Sequence, residues 1–353
     1  MPLTVLSVAY PLAKVSPGTA GGAEQVLHTM DKALVHHGHR SIVLAAAGSR
    51  CHGLLIPVRV SDGELDFRAK RQARESFRQA IHRALSEFNV DVVHMHGLDF
   101  HEYLPDGDIP VVVTLHLPLA WYDVSHLRKR RDNTALVAVS GSQANTAPSG
   151  TQIDEVIPNG IELENYRPAH RKGRYALIMG RICPEKGIHL ALDAATIAEI
   201  PVTIAGKAFD YPEHRQYFED VFRPRLGPHV RFMGSIGGKR KAQLLAGARC
   251  ILVPSQAPET SSLVAMEAMA SGTPVVAWRS GALRDVVDHG RTGWLVSSVE
   301  EMASAIARIH EIDSAECRTE AEHRFSSEQM FSKYVSLYDR VTMASSAMEL
   351  QPA

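Results

Sequence analysis

The 353 residues carry 38 Lys and Arg against 39 Asp and Glu, a formal net charge of -1, and 45% of the side chains are hydrophobic. This is an ordinary soluble globular composition, and it supplies no basic field to draw in nucleic acid. The length suggests two domains of about 150 residues, each able to bury a full core.

In chain order, residues 3–9 (LTVLSVA) form a β-rich apolar run, followed by the loop YPLAKVSPGTAGG. Residues 23–37 place Val26, Leu27, Met30, Leu34 and Val35 at a helical period, and Gly38 suits the C-terminal stop. A strand at 41–47 completes a βαβ unit, which favours a parallel sheet. Residues 65–88 read as a long helix with Phe77, Ile81, Leu85 and Phe88 on one face. Strands follow at 90–96, 110–116, 133–140 and 154–160.

After the polar stretch NYRPAHRKGR a second alternation begins. Its strands fall at 175–180, 201–206, 229–234, 250–255, 274–278 and GWLV, with helices between them, including GALRDVVDHG. Residues 326–344 are helical. The boundary is expected near 165–172, giving domains 1–168 and 169–327.

Cys51, Cys183, Cys250 and Cys317 lie far apart and show neither C-x-x-C nor Cys/His zinc spacing, so they read as reduced structural thiols of a cytosolic protein. The N-terminal stretch MPLTVLSVAYPLAKV lacks a basic segment and reads as a strand. No apolar run approaches the ~18 residues of a membrane span. A cytoplasmic protein is expected, with contact at a membrane surface left open. Arg68, Lys70, Arg71, Arg74, Arg78 and Arg83 on the 65–88 helix and the cluster HLRKRRD (126–132) could serve such contact. A solvated face paired internally to Glu75 and Glu87 is the favoured reading, because the apolar face already suits a core helix.

Ligands of open α/β sheets bind beyond the carboxyl ends of the strands, so the residues there carry the functional reading. Gly21 and Gly22 open a helix and would let a ligand approach backbone amides, without forming G-x-G-x-x-G or a Walker A loop. His94 and His96 share a strand face but have no third metal ligand at suitable spacing. His94 reads as structural, whereas His96 and His116 end their strands. In MGRICPEKG, Arg181 and Lys186 flank a turn into a helix and can converge on one anion. In APETSSLVAMEAMASGTP, Glu259 precedes a helix capped by Thr260, Ser261 or Ser262, and Glu267 lies on it. Two carboxylates beside free amides suit a polyhydroxylated ligand tied to an anion; a dipole-favouring Glu259 and an exposed Glu267 are the structural alternative.

The segment ETSSLVAMEAMASGTPVVA resembles the E-x7-E segment of the retaining family-4 glycosyltransferases. GGAEQ, TLH, VIPNGIE, MGRICPEKG and GALRDVVDHGRTGWLV agree in order, across nearly the whole chain. The resemblance implies the GT-B architecture: α/β, with two Rossmann-like domains whose parallel sheets face a central cleft. It implies a nucleotide-sugar donor held by the C-terminal domain. By motif position Arg181 and Lys186 would bind its diphosphate, Glu267 the ribose, and Glu259 the transferred sugar beside the amides of Ser261, Ser262 and Leu263. The base would lie near Arg231–Met233, Gly22 would approach the diphosphate, and His116 would lie near the reacting sugar.

The resemblance also implies that helix 328–345 packs back on the first domain and that transfer retains the anomeric configuration by a front-face route. No cofactor and no metal are expected. The acceptor (glycan, lipid-linked or small molecule) and the oligomeric state stay open. The family commonly has a small residue and Phe-Gly after the first glutamate; ETSS departs from this, and the loop near the sugar is expected to differ. A nicotinamide-dependent oxidoreductase lacks its glycine fingerprint here. A sugar-nucleotide epimerase or a non-catalytic nucleotide-sugar binder remain as alternatives.

Overall fold

A computed structural model describes residues 2–19, 21–60, 66–128 and 131–349. The chain forms two compact units: Met1–Gly160 with Ser327–Ala353, and Ile161–Ser326.

The first unit holds β1 (Thr4–Val8), β2 (Arg40–Ala46), β3 (Leu54–Val58), β4 (Val92–Met95), β5 (Val111–Leu115), β6 (Thr134–Ala138) and β7 (Glu155–Val156). Their order is β3-β2-β1-β4-β5-β6-β7, with every neighbouring pair parallel. The second holds β8 (Ala176–Met179), β9 (Val202–Ala205), β10 (Val230–Phe232), β11 (Cys250–Val253), β12 (Val275–Trp278) and β13 (Gly293–Val296). These run β10-β9-β8-β11-β12-β13, again all parallel. Each unit is therefore a Rossmann-like α/β layer structure. β4, β5, β6, β9 and β11 are buried along their whole length. Helices cover both faces, so these strands read as unbroken apolar runs rather than as alternation.

In both sheets the strand order reverses once, between β1 and β4 and between β8 and β11. Adjacent loops diverge to opposite faces at such a point and leave a crevice. The loops after β8 and β11 contain MGRICPEKG and the E-x7-E segment.

The elements differ from expectation in a few places. β3 was not anticipated. Its sequence LLIPV includes Pro57 and is half-exposed, as an edge strand allows. The helix expected at 281–290 shortens to Leu283–Val286, because Val287 is already extended. The long basic helix runs Phe67–Glu87, capped by Asp66, which accepts from the Ala69 amide at 2.7 Å. On it Arg78 pairs with Glu75 at 3.2 Å, but Arg74 reaches Asp99 (2.6 Å) and Glu102 (3.3 Å) rather than Glu87. Residue 65 of that helix, and Lys129 and Arg130 of the second basic cluster, lie outside the described residues. Among the described residues no helix is long and apolar enough to cross a membrane.

The boundary lies at Gly160–Ile161, ahead of the expected 168. Hydrogen bonding explains the shift. The Ile161 amide donates to the Phe325 carbonyl at 2.8 Å, and the Tyr166 hydroxyl donates to Glu267 at 2.8 Å, so this stretch is tied into the second unit.

The chain returns to the first unit in the Ser327–Glu349 helix. Phe331 stacks on His37 with ring centroids 4.5 Å apart. Tyr334 and Tyr338 are fully buried. The Tyr338 hydroxyl meets His94 Nδ1 at 2.7 Å, and the Tyr334 hydroxyl meets Thr114 Oγ1 at 2.8 Å. Thr114 Oγ1 also meets His94 Nε2 at 2.7 Å. This ladder satisfies both nitrogens of a histidine in the middle of β4.

Burial, with a smaller contribution from His116, pushes His94 down to about 3. An unfolded histidine takes its proton near pH 6.5. Between these values the unfolded chain binds more protons, so stability is complete above about 6.5 and is lost as pH falls towards 3. One such histidine gives a slope of about 1.4 kcal/mol per pH unit. The thermal midpoint of the first unit should fall on acidification from about pH 7 to about pH 4.5. His94→Asn should start lower and fall less steeply. Parallel profiles would show that His94 is not the titrating group.

Candidate active site

Two loops of the second unit are stitched together at the β8/β11 switch point. After β8, Pro184–Lys186 form a 3-10 turn that Gly187 closes at φ +58°. A side chain at Gly187 would come within 2.4 Å of the Pro254 carbonyl oxygen, so the left-handed turn and the close approach both require glycine. The Gln256 amide donates to the Glu185 carbonyl at 2.9 Å across the same seam.

This seam brings charges together. Lys186 Nζ lies 2.5 Å from Glu259 Oε1, and Ser255 Oγ donates to that oxygen as well. Arg181, Lys186, Ser255 and Glu259 line one depression together with the apolar Ile178 and Leu252. Arg181 is exposed there, whereas Lys186 and Glu259 are 29% and 13% exposed as side chains. The Glu259 backbone is itself fixed. Its carbonyl accepts from the Ala282 amide at 2.7 Å, and Gly281 (φ +51°) allows that approach, since a Cβ would come within 2.4 Å of the same oxygen.

The helix after this loop spans Leu263–Ala270, with Ser262 at its N-cap. The Ser262 carbonyl accepts from the Ala265 and Met266 amides, but its side chain makes no capping bond. Ser261 Oγ is buried with no hydrogen-bond partner. Leu263 is the first helical residue.

Glu267 is not exposed: only 3% of its surface reaches solvent. Its Oε1 accepts from Lys241 Nζ at 2.5 Å and from the Tyr166 hydroxyl at 2.8 Å. Its Oε2 is buried without a partner. Burial first, and the Glu267 carboxylate second, push the Tyr166 hydroxyl well above its ordinary range, so it stays a neutral donor. A carboxylate oriented by a cation and a phenol, with one lone-pair edge left over, is built to accept hydrogen bonds from something else.

Met233 follows the edge strand β10 and is half-buried, and its amide is used by the Ile204 carbonyl at 2.9 Å. Among the described residues no hydrogen bond or ion pair joins it to the carboxylates.

In the first unit, Gly21 caps the Gly22–His36 helix through its backbone alone. The Glu24 carboxylate folds back over it, and a Cβ at Gly21 would fall 1.8 Å from Glu24 Oε2. Burial raises the Glu24 carboxyl above its usual value. An anion approaching this helix end therefore meets Glu24 first, which the glycine pair alone did not suggest. His116 is buried, with Nε2 2.9 Å from His96 Nδ1 and the two rings stacked. Burial holds His116 down at about 3, so its ring is neutral in ordinary buffers. His94 and His96 do lie ring to ring at 4.0 Å, but Thr114 and Tyr338 occupy both nitrogens of His94, which removes it as a metal ligand.

Lys241, Tyr166 and Ser255 were not singled out from the sequence. Lys241 and Tyr166 stand 26 and 101 residues from Glu267, in a helix and a linker that look like ordinary polar surface. Ser255 reads in the sequence only as the end of the strand 250–255.

Residues 20–165 match the family model described as Glycosyltransferase Family 4, and residues 173–311 that described as Glycosyl transferases group 1. A phosphatidyl-myo-inositol mannosyltransferase of Mycolicibacterium smegmatis is 27% identical over 370 aligned positions, covering 94% of each chain. A glycogen synthase of Mycobacterium tuberculosis is 26% identical over 409 positions, covering 100% of this chain and 97% of the other. The crystal structure of a glycosyltransferase involved in avilamycin A biosynthesis superposes with a TM-score of 0.73 at 25% identity, covering 97% of this chain and 98% of that one.

Removing one partner of a buried ion pair strands the other charge. Lys241→Met should therefore destabilise the second unit by about 3 kcal/mol, read from the urea midpoint. Adding Glu267→Leu should recover more than half of that loss. A single variant as stable as the parent would show that Lys241 does not hold the carboxylate.

Proposed function

Because this chain is a family-4 glycosyltransferase of GT-B fold, we propose that it transfers a sugar from a nucleoside-diphosphate sugar to an acceptor hydroxyl, with retention of the anomeric configuration. The observation that carries the donor reading is the free, buried Oε2 of Glu267. A ribose offers two adjacent hydroxyls, and an oriented carboxylate takes them as donors. The depression lined by Arg181, Lys186 and Glu259 supplies the rest of a donor site. Two cations suit a diphosphate, and Glu259 suits a sugar hydroxyl.

In this reading the bond between the anomeric carbon and the diphosphate oxygen breaks, and the acceptor oxygen bonds to the same face of the sugar. The acceptor proton passes to the departing phosphate oxygen. Charge grows on the diphosphate as the bond lengthens, and Arg181, Lys186 and the amides of Ser261, Ser262 and Leu263 meet it without reorganising. Glu259 holds Lys186 at 2.5 Å, which fixes the position of its ammonium in the depression. The two cations take the part that a divalent ion plays in other glycosyl transfers. The two relatives are named for different products, one on phosphatidyl-myo-inositol and one glycogen. An inositol-bearing lipid and an oligosaccharide are accordingly the first acceptors to assay.

Lys186→Ala should lower turnover by about 10²–10³-fold, near 3–4 kcal/mol in the barrier, while circular dichroism shows the fold retained at the assay temperature. Near-normal turnover would remove the diphosphate assignment. In a thermal-shift panel of UDP, GDP and ADP with their common sugars, one nucleotide at about 100 times its dissociation constant should stabilise the protein by about 2.7 kcal/mol. Glu267→Gln should weaken that shift. No shift with any of them would overturn the donor site.

A further inference from the structure

Cys183, Glu185 and His214 converge behind the turn that carries Lys186. Cys183 and Glu185 flank Pro184 in that turn, and His214 comes from the Pro212–Tyr217 helix packed against it. One donor atom from each of the three lies within 4.8 Å of the others. Cys183 is fully buried and His214 is 8% exposed, while Glu185 faces solvent. His214 Nδ1 is buried with no hydrogen-bond partner. The imidazole that lies beside the thiol and the carboxylate thus carries a buried nitrogen without a hydrogen bond, which is costly unless something binds it.

We propose that these three side chains bind a divalent cation of the zinc class. Thiolate, imidazole and carboxylate are the donors such an ion takes, at about 2.0–2.3 Å, in a tetrahedron. Those lengths imply edges of about 3.3–3.8 Å, so donors now within 4.8 Å close on the ion by side-chain movements of about 1 Å. The thiol loses its proton on binding, and water fills the fourth position on the exposed Glu185 side. The ion clamps the Pro184–Lys186 turn to the Pro212–Tyr217 helix and takes no part in bond making. This departs from the sequence reading, which found no Cys/His zinc spacing because His214 lies far along the chain in a separate helix.

A second group, His101, Asp123 and His126, also has donors within 4.8 Å, but two of its three residues are exposed. It supplies the control. The full-length protein, stripped with chelator, is titrated with Co²⁺ and then Zn²⁺. One equivalent of Co²⁺ should give a thiolate-to-metal charge-transfer band, and Zn²⁺ should displace it. Cys183→Ser and His214→Gln should each abolish the band and weaken binding at least tenfold, whereas His126→Ala should leave the band unchanged. Thermal unfolding of the metal-free variants shows whether they fold, and His214→Gln decides the matter if Cys183→Ser does not. A band that survives in His214→Gln, or binding lost only in His126→Ala, overturns the proposal. The readout is metal binding itself, so it stands or falls separately from the donor reading.

Discussion

A carboxylate buried in an apolar half-domain must find charge and hydrogen bonds there, and Glu267 organises the second unit around that requirement. Its cation, Lys241, comes from the helix before β11, and its phenol, Tyr166, from the segment that enters the unit. Meeting the demand of one side chain therefore draws in three stretches of chain that would otherwise be loosely related. It also leaves one oxygen over. A fully satisfied carboxylate would contribute to structure alone; a half-satisfied one keeps part of its hydrogen-bonding capacity for a ligand.

The sheet supplies the place for this arrangement. The loops that follow β8 and β11 meet closely enough that Gly187 cannot carry a side chain, and the loop after β12 approaches Glu259 closely enough that Gly281 cannot. The rigid part of the site is thus main chain, and Lys186 and Glu259 are mounted on it. The first unit has the same reversal between β1 and β4 but fills it differently, with the neutral His96–His116 pair and with Glu24 folded over Gly21.

Much of this was legible in the sequence because buried parallel strands leave a strong signal. Runs such as Val111–Leu115 admit no polar residue but Thr114, and Thr114 has its partner in Tyr334. β3 escaped notice because an edge strand needs neither continuous apolarity nor every amide, so it tolerates Pro57. Arg181, Lys186 and Glu259 stood out as charges beyond strand ends, and Glu267 as the second acid of the E-x7-E segment. Their partners did not. Spacing along the chain cannot reveal that Lys241 turns inward, since the same residue on the outer face of its helix would give the same sequence. The Cys183–Glu185–His214 group was hidden for the same reason, two of its members standing either side of Pro184 at one turn and the third arriving from another helix.

The first unit is not continuous. It stops at Gly160 and resumes at Ser327, with the whole of the second unit inserted between. His94 and Thr114 precede the second unit in the chain, yet the hydroxyls that complete their hydrogen bonding belong to Tyr338 and Tyr334, which follow it. On the ribosome the second unit can close as soon as its own residues have emerged. The first must wait for the Ser327–Glu349 helix, its His94–Thr114 pair lacking until then the two tyrosine hydroxyls that complete the ladder. Chains that stop short of Tyr334 would be left with a finished second unit beside an unfinished first one.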